Sequence, residues 1–286
     1  VLDGYCENPG DLSWAELEAL GELSVYDRTA YVDSPLIAAR IGDAEIAITN
    51  TTPITRSTLE QCPNLRLIAV MATGYNVVDC DCAREMGIAV VNVPTYGTAS
   101  VAQFAIALLL EVCHHIGHHS RTVSEGRWSD DADWCYWDYP LVELAGKCAG
   151  IIGFGRIGKL LACRLRGLAA QVAVSARRHE HLAWIRALGY TPLRTDRLEG
   201  CLRSFHLIFN TVPALILDRT RPEEIRPDCV IIDVASAPGG VDFSAARELG
   251  ITALQELSLP GRVAPLAAAQ AVRDAIGHIL EERGEP

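Results

Sequence analysis

The sequence predicts an α/β protein of two domains, each built on a doubly wound, mainly parallel sheet. Three observations carry that prediction. Short apolar runs alternate with amphipathic stretches almost from end to end. Repeated βα units of this kind require a parallel sheet covered on both faces. A glycine-rich turn, Gly153-Phe154-Gly155-Arg156-Ile157-Gly158, stands between an apolar run and a helical pattern. A strongly apolar helix beginning near Ser100 separates the first βα series from the second.

The first series opens with an apolar run over Val1–Tyr5, read as a strand; the chain begins without Met, so a few residues of that strand are expected to precede it. A helix over Ser13–Leu20 follows, with Ser13 as N-cap and Glu16 as its capping-box partner. Strands are expected over Leu23–Asp27, Glu45–Asn50, Leu65–Ala72 and Ile88–Val93. Thr55-Arg56-Ser57 caps a helix over Ser57–Cys62. From Val101 to about His119 the pattern is one buried connector helix, too soon polar to span a membrane. Trp128, Trp134, Tyr136, Trp137 and Tyr139 then cluster within a few turns. Such a cluster anchors either a subunit contact or local packing.

The second series begins after Gly146. Its strands read Ile151–Gly153, Val172–Ala176, Thr191–Leu193, Leu207–Val212, Val230–Ala235 and Thr252–Leu254, with a helix over Lys159–Leu168. That is the strand count of a complete Rossmann sheet. A single helix over Pro265–Glu282 ends the chain and is long enough to return to the first domain. The expected division is therefore 1–98 with 265–286, and 99–264.

Composition narrows the function. The chain has 286 residues, 49% of them hydrophobic, enough for two moderate cores. A net charge of −11 argues against nucleic acid or an anionic membrane as partner. No signal-peptide pattern opens the chain, and a cytoplasmic protein is expected. Ten cysteines without a CxxC pair read as buried thiols rather than a disulfide framework.

The glycine turn carries the chemistry. Gly153 permits the tight turn, Gly155 lets the backbone approach a pyrophosphate, and Gly158 lets helix and strand pack closely. The amino end of the new helix favours negative charge. Thr73-Gly74-Tyr75-Asn76 follows a strand at its carboxyl end, where open α/β sheets bind ligands; it reads as a carboxylate site or as a turn capped by Asn76 or Asp79. Asp233 and Asp242 are either acids in the active site or, for Asp242, the cap of a helix at Phe243. His114, His115, His118 and His119 carry i,i+4 pairs with Glu111 one turn earlier, but they read as a polar helix face, and no metal is expected.

Leu2-Asp3-Gly4-Tyr5, Asn8 to Trp14, Ala72 to Asp79 and Val93-Pro94-Thr95-Tyr96 resemble the D-2-hydroxyacid dehydrogenases, in the hydroxypyruvate reductase branch, over about residues 1–160. Thr211-Val212-Pro213-Ala214, Ile231 to Phe243 and Leu259 to Pro265 resemble the dinucleotide-using polypeptide of dipicolinate synthase, over about residues 170–286. The resemblance implies a flavodoxin-like substrate domain, an inserted Rossmann domain, a cleft between them, and a homodimer built on the helix–aromatic segment, or a second, different subunit if the synthase likeness governs. It implies an NAD(P)-dependent oxidoreductase transferring hydride with a small carboxylate substrate. The alternatives are dipicolinate-synthase-like chemistry and a mosaic that binds the dinucleotide with impaired catalysis. Substrate contacts fall on Thr73, Gly74, Tyr75, Asn76 and Tyr96. Cofactor contacts fall on Thr98, Gly153, Gly155, Arg156, Ile157, Gly158, Ser175, Arg177, Arg178, Thr211, Val212, Pro213 and Ala235.

Two departures stand out. The family's arginine after the fifth Rossmann strand is absent from Val234-Ala235-Ser236-Ala237-Pro238, and its Pro-His segment reads Pro260-Gly261. Ser236 and Arg262 are the candidate catalytic groups; Arg262 either clamps a carboxylate or faces solvent, and weak or absent turnover of simple 2-oxoacids is expected. The second strand end reads Ser175-Ala176-Arg177-Arg178, without the carboxylate that would bind a ribose 2′-hydroxyl. NADP(H) is therefore expected over NAD(H), mainly through Arg177, the alternative being that one arginine stacks on adenine and the other faces solvent.

Overall fold

The computed structural model describes residues 1–10, 12–236 and 238–256. The expected final helix and Arg262 lie outside them. The described residues divide into two compact units, one ending at Gly97 and one starting at Thr98.

In the first unit α1 (Gly4–Glu7), α2 (Ala15–Glu18) and α3 (Pro35–Ile41) precede β1 (Ile46–Thr49). There follow α4 (Arg56–Leu59), β2 (Leu67–Val70), α5 (Cys80–Glu85) and β3 (Ala89–Asn92). The three strands are parallel in the order β1-β2-β3. Backbone hydrogen bonds extend the layer beyond β1: Leu2 N to Ile48 O, Tyr26 N to Val1 O and Gly4 N to Tyr26 O. The order 24–26, 1–3, β1, β2, β3 is the flavodoxin-like 2-1-3-4-5. β2 is buried at every residue, as a central parallel strand must be. Ile37, Ile41, Ile54, Leu59, Ile68, Val70 and Cys82 form the core on one side of it.

Three local expectations change here. The first extended segment stops at Asp3, because its carboxylate turns into the loop after β1 and Gly4–Glu7 winds into α1. Helix α2 starts later than expected, with Trp14 at its N-cap, so Ser13 stands one position too early for a capping box. Its Oγ accepts from Ala15 N instead. The runs over 1–3 and 24–26 are extended but form no regular ladder.

In the second unit α6 (Thr98–His114), α7 (Ile116–Ser124) and α8 (Arg127–Asp130) precede the sheet. Then come β4 (Cys148–Ile152), α9 (Arg156–Gly167), β5 (Gln171–Ala176), α10 (His179–Ala187) and β6 (Thr191–Arg194). β7 (Leu207–Asn210), β8 (Val230–Asp233), α11 (Phe243–Glu248) and β9 (Thr252–Gln255) complete it. All six strands are parallel in the order β6-β5-β4-β7-β8-β9, the Rossmann order 3-2-1-4-5-6. Val101, Ala105, Leu109 and Cys113, four residues apart, place α6 against the core that holds Leu161 and Leu165 of α9.

The connector is two helices rather than one. His115 has a φ of 48°, left-handed and costly for a residue with a Cβ, and the axes on either side differ by 62°. The Glu111 carboxylate accepts from Gly117 N at 3.0 Å and so caps the new helix across the break. The i,i+4 histidine pairs therefore do not share one helix. His118 Nε2 instead meets Asp138 at 2.6 Å, and Arg127 meets the same carboxylate at 2.5 Å. Among the described residues no single helix is long and apolar enough to cross a membrane.

Candidate functional site

In the second unit the site grows from the carboxyl end of β4. Gly153 has a φ of 104°, and a Cβ there would stand 2.5 Å from Thr211 Oγ1 and 2.8 Å from Val212 Cγ2. Only glycine both reaches this conformation and leaves room for the β7 loop. A Cβ on Gly158 would run into Gly153 O, so α9 lies directly against the turn. Gly155 is different: a Cβ there meets nothing within 4 Å. It is the N-cap of α9, with no side chain capping the helix. The outcome is an open space over the amino end of a twelve-residue helix, suited to an anion. Arg156 and Ile157 form its first turn.

β5 ends beside this turn. Ser175 is buried, and its Oγ accepts from Thr195 Oγ1 at 3.0 Å and Gly153 N at 3.4 Å. It ties the turn to β6 more than it faces solvent. Arg177 is exposed and makes no hydrogen bond or ion pair with the described residues. Arg178, the N-cap of α10, meets Glu180 at 3.3 Å. Thr211 donates to Ile152 O at 2.9 Å, Val212 covers Gly153, and Pro213 is exposed. Past β8, Ala235 is buried and Ser236 exposed. Thr98 opens α6 in the same unit.

Asp233, a candidate active-site acid by sequence, is a structural clasp. Its Oδ1 accepts from Asn210 Nδ2 at 2.8 Å and Ala235 N at 3.0 Å, and its Oδ2 accepts from Gly240 N at 2.8 Å. Asp242 is the cap of α11, accepting from Ala245 N at 2.9 Å.

In the first unit, Thr73, Gly74, Tyr75 and Asn76 form the loop past the carboxyl end of β2. Thr73 Oγ1 donates to Val93 O at 3.3 Å, and Asn92 Nδ2 donates to Thr73 O at 2.8 Å. Tyr75 is about half exposed. Asp79 caps α5 through Cys82 N at 2.9 Å. Tyr96 donates to Met71 O at 3.3 Å, which brings it to the base of this loop. Burial first, and Glu7 second, push the Tyr96 phenol up to about 12, so it is a donor at all ordinary pH.

Two groups here are not singled out as site residues by the sequence. Asp3 accepts from Thr49 Oγ1, Thr52 Oγ1 and the backbone N of Asn50, Thr51 and Thr52. Burial raises its pKa, but these hydrogen bonds outweigh it and hold the carboxyl below the usual range. Glu7 is the second. Burial pushes it up to about 8, although a hydrogen bond from the Asn50 side chain pulls the other way.

A flavodoxin-like unit and a Rossmann unit, the latter with its glycine turn open over a helix amino terminus, define an α/β oxidoreductase architecture. The model of the D-isomer specific 2-hydroxyacid dehydrogenase catalytic domain matches residues 7–258, and the chain belongs to that family. The family is one of nicotinamide-dinucleotide-dependent oxidoreductases. Hydroxypyruvate reductase of Blautia hydrogenotrophica is 64% identical over 159 residues, covering 56% of this chain and 49% of that protein. One polypeptide of the dipicolinate synthase of Bacillus subtilis is 38% identical over 139 residues, covering 49% of this chain and 47% of that protein. Both likenesses expected from the motifs are thus found, and the chain spans about half the length of each of these curated relatives. The TT0316 protein of Thermus thermophilus shares the fold, with a TM-score of 0.75 and 22% identity over 100% of this chain and 96% of that one.

Proposed function

We propose that the chain is an NAD(P)-dependent oxidoreductase that transfers hydride to or from a small 2-hydroxy or 2-oxo carboxylate. The open space over Gly155 at the amino end of α9 is the observation that carries this reading. Gly153, Gly155, Arg156, Ile157 and Gly158 would hold the pyrophosphate. Thr98, Thr211, Val212, Pro213 and Ala235 would line the rest of the dinucleotide. Arg177, exposed and unpaired among the described residues, would bind an adenosine 2′-phosphate, with Arg178 beside it, which favours NADP(H). Ser175 contributes less to that phosphate, because its hydroxyl already accepts from Thr195 and Gly153.

The bound dinucleotide supplies the hydride. This chain's residues orient the partner. Thr73, Gly74, Tyr75 and Asn76 present backbone and side-chain groups to a carboxylate, with the Tyr96 hydroxyl beside them. Ser236 and Arg262 are the polar groups that occupy the stretches where the family carries its arginine and histidine. Without a histidine in that stretch, general acid–base assistance of roughly 10²–10⁴-fold is lost, and turnover of simple 2-oxoacids is slow. The active form is a homodimer through the aromatic segment.

The likeness to dipicolinate synthase favours a second reading, reduction of a ring dicarboxylate, with a different polypeptide as partner. Titration with NADPH and NADH, paired with turnover of hydroxypyruvate and glyoxylate, tests both. Micromolar binding with slow hydroxypyruvate reduction is expected. Failure to bind either dinucleotide would overturn the proposal. Tight binding with no turnover of either acid would shift it to the second reading.

A further inference from the structure

Three polar side chains from three segments converge at the carboxyl end of the first unit's sheet. Asn50, just past β1, donates from Nδ2 to Met71 O at 3.2 Å. Tyr96, past β3, donates to the same carbonyl. That carbonyl lies two residues before Thr73, so both side chains stand at the root of the loop proposed to hold substrate. Glu7, the last residue of α1, is the third; it lies near enough for the Asn50 side chain to lower its pKa and for its charge to raise that of Tyr96.

Glu7 Oε1 is buried and has no hydrogen-bond partner among the described residues. A buried acceptor left this way costs about 1–3 kcal/mol. Groups of this kind call for a functional reason, and a ligand that donates to the oxygen is one. Asp3 cannot supply a donor. Its carboxylate already takes five hydrogen bonds and is ionised.

We propose that Glu7 sets substrate specificity: its carboxyl receives a hydroxyl that a small carboxylate substrate carries beyond the 2-position, as in a 3-hydroxy-2-oxo acid. The proposal rests on the hydroxyacid reading above and narrows its substrate class. A hydroxyl donates to Oε1. A methyl group cannot, and a second carboxylate brings acceptors only. With its pKa pushed up to about 8, first by burial and also by the Asp3 charge, Glu7 is neutral at physiological pH. It then offers one acceptor and one donor, which is what a hydroxyl offers in return. The titratable groups facing it are Asp3, Cys6 and Tyr96. Asp3 stays ionised, the Cys6 thiol is raised mainly by burial, and Tyr96 is raised to about 12, so Glu7 is the group that titrates near pH 8.

The test measures dissociation constants of D-glycerate and D-lactate, which differ by that hydroxyl, for the full chain saturated with NADPH. Wild type should favour glycerate by roughly tenfold or more, since sites built to bond a hydroxyl reject analogues lacking it. Glu7→Gln should keep the preference, because an amide also offers donor and acceptor. Glu7→Leu should reduce it to about twofold or less. Raising the pH to about 9.5 should weaken both anions in wild type, where the ionised Glu7 repels them, and neither in Glu7→Gln. Equal affinities in wild type would overturn the proposal and leave the hydroxyacid reading standing. A Glu7→Leu chain that keeps the preference would overturn it too. If Glu7→Leu does not fold, an identical pH loss in wild type and Glu7→Gln is the refuting result. If neither acid binds, the hydroxyacid reading falls with it.

Discussion

Adding one methyl group at Gly153 or at Gly155 should separate folding from cofactor binding. At Gly153 the new Cβ would sit 2.5 Å from Thr211 Oγ1 and 2.8 Å from Val212 Cγ2, well inside ordinary contact. A φ of 104° adds about 1–2 kcal/mol of backbone strain for a residue with a Cβ. Relieving the overlap adds about 1–3 kcal/mol. Pushing Thr211 aside breaks its bond to Ile152 O, worth about 1 kcal/mol. Gly153→Ala should therefore lose roughly 3–6 kcal/mol of stability, a large share of the 5–15 typical of a domain. Gly155→Ala meets no atom within 4 Å and has an ordinary φ of −78°, so its stability should change by less than about 1 kcal/mol. Its methyl group, however, stands in the space assigned to the pyrophosphate, and NADPH affinity should fall roughly tenfold or more, about 1.4 kcal/mol. Urea denaturation monitored by tryptophan fluorescence gives the first quantity and NADPH titration the second. If Gly155→Ala binds NADPH as wild type does, the anion site has been assigned to the wrong place. If Gly153→Ala unfolds at the wild-type midpoint, the clash argument is wrong.

Arg177→Ala should weaken NADPH roughly tenfold to a hundredfold while leaving NADH nearly unchanged, since a charged hydrogen bond is worth about 1.5–3 kcal/mol; an unaltered NADPH/NADH ratio at fixed salt would refute the assignment. Trp134 is 86% and Trp137 66% exposed, more than local packing explains, so Trp134→Ala with Trp137→Ala should convert a dimer to monomers in light scattering. A wild-type monomer at micromolar concentration ends that idea. Glu7 links stability to pH. Its folded pKa lies above its unfolded one, so its contribution is complete below about 4.5 and is lost as pH rises to about 8. Glu7→Gln should be the more stable chain at pH 9 and not at pH 4; denaturation at both values decides it.

Much of the fold was legible because parallel strands buried on both faces are written as continuous apolar runs. Leu65–Ala72 and Ile88–Val93 contain the strands found at Leu67–Val70 and Ala89–Asn92. The Gly153–Gly158 turn was legible because each glycine answers a local steric demand. What escaped depends on distant partners. Nothing between Cys6 and Asn8 announces that Glu7 Oε1 is buried without a hydrogen-bond partner among the described residues, because its surroundings come from distant segments. The break at His115 escaped because the apolar pattern runs past it; the Glu111 bond to Gly117 that stabilises it appears only in three dimensions. Asp233 was read as an active-site acid for the same reason. Its partners at Asn210 and Gly240 belong to other segments.

Each sheet is locked by one buried aspartate, and each lock closes within its own half of the chain. Asp3 gathers residues up to Thr52, 49 positions away; Asp233 reaches 23 positions back to Asn210 and 7 forward to Gly240. Among the described residues, neither draws a partner from the other half. A genetic exchange that cuts between Thr52 and Asn210 transfers every locked loop together with its anchor. Such a crossover requires no compensating mutation at either aspartate. A gene with parents of different lineages for its two ends inherits both locks intact, and loop-forming segments on either side remain free to diverge toward different chemistries.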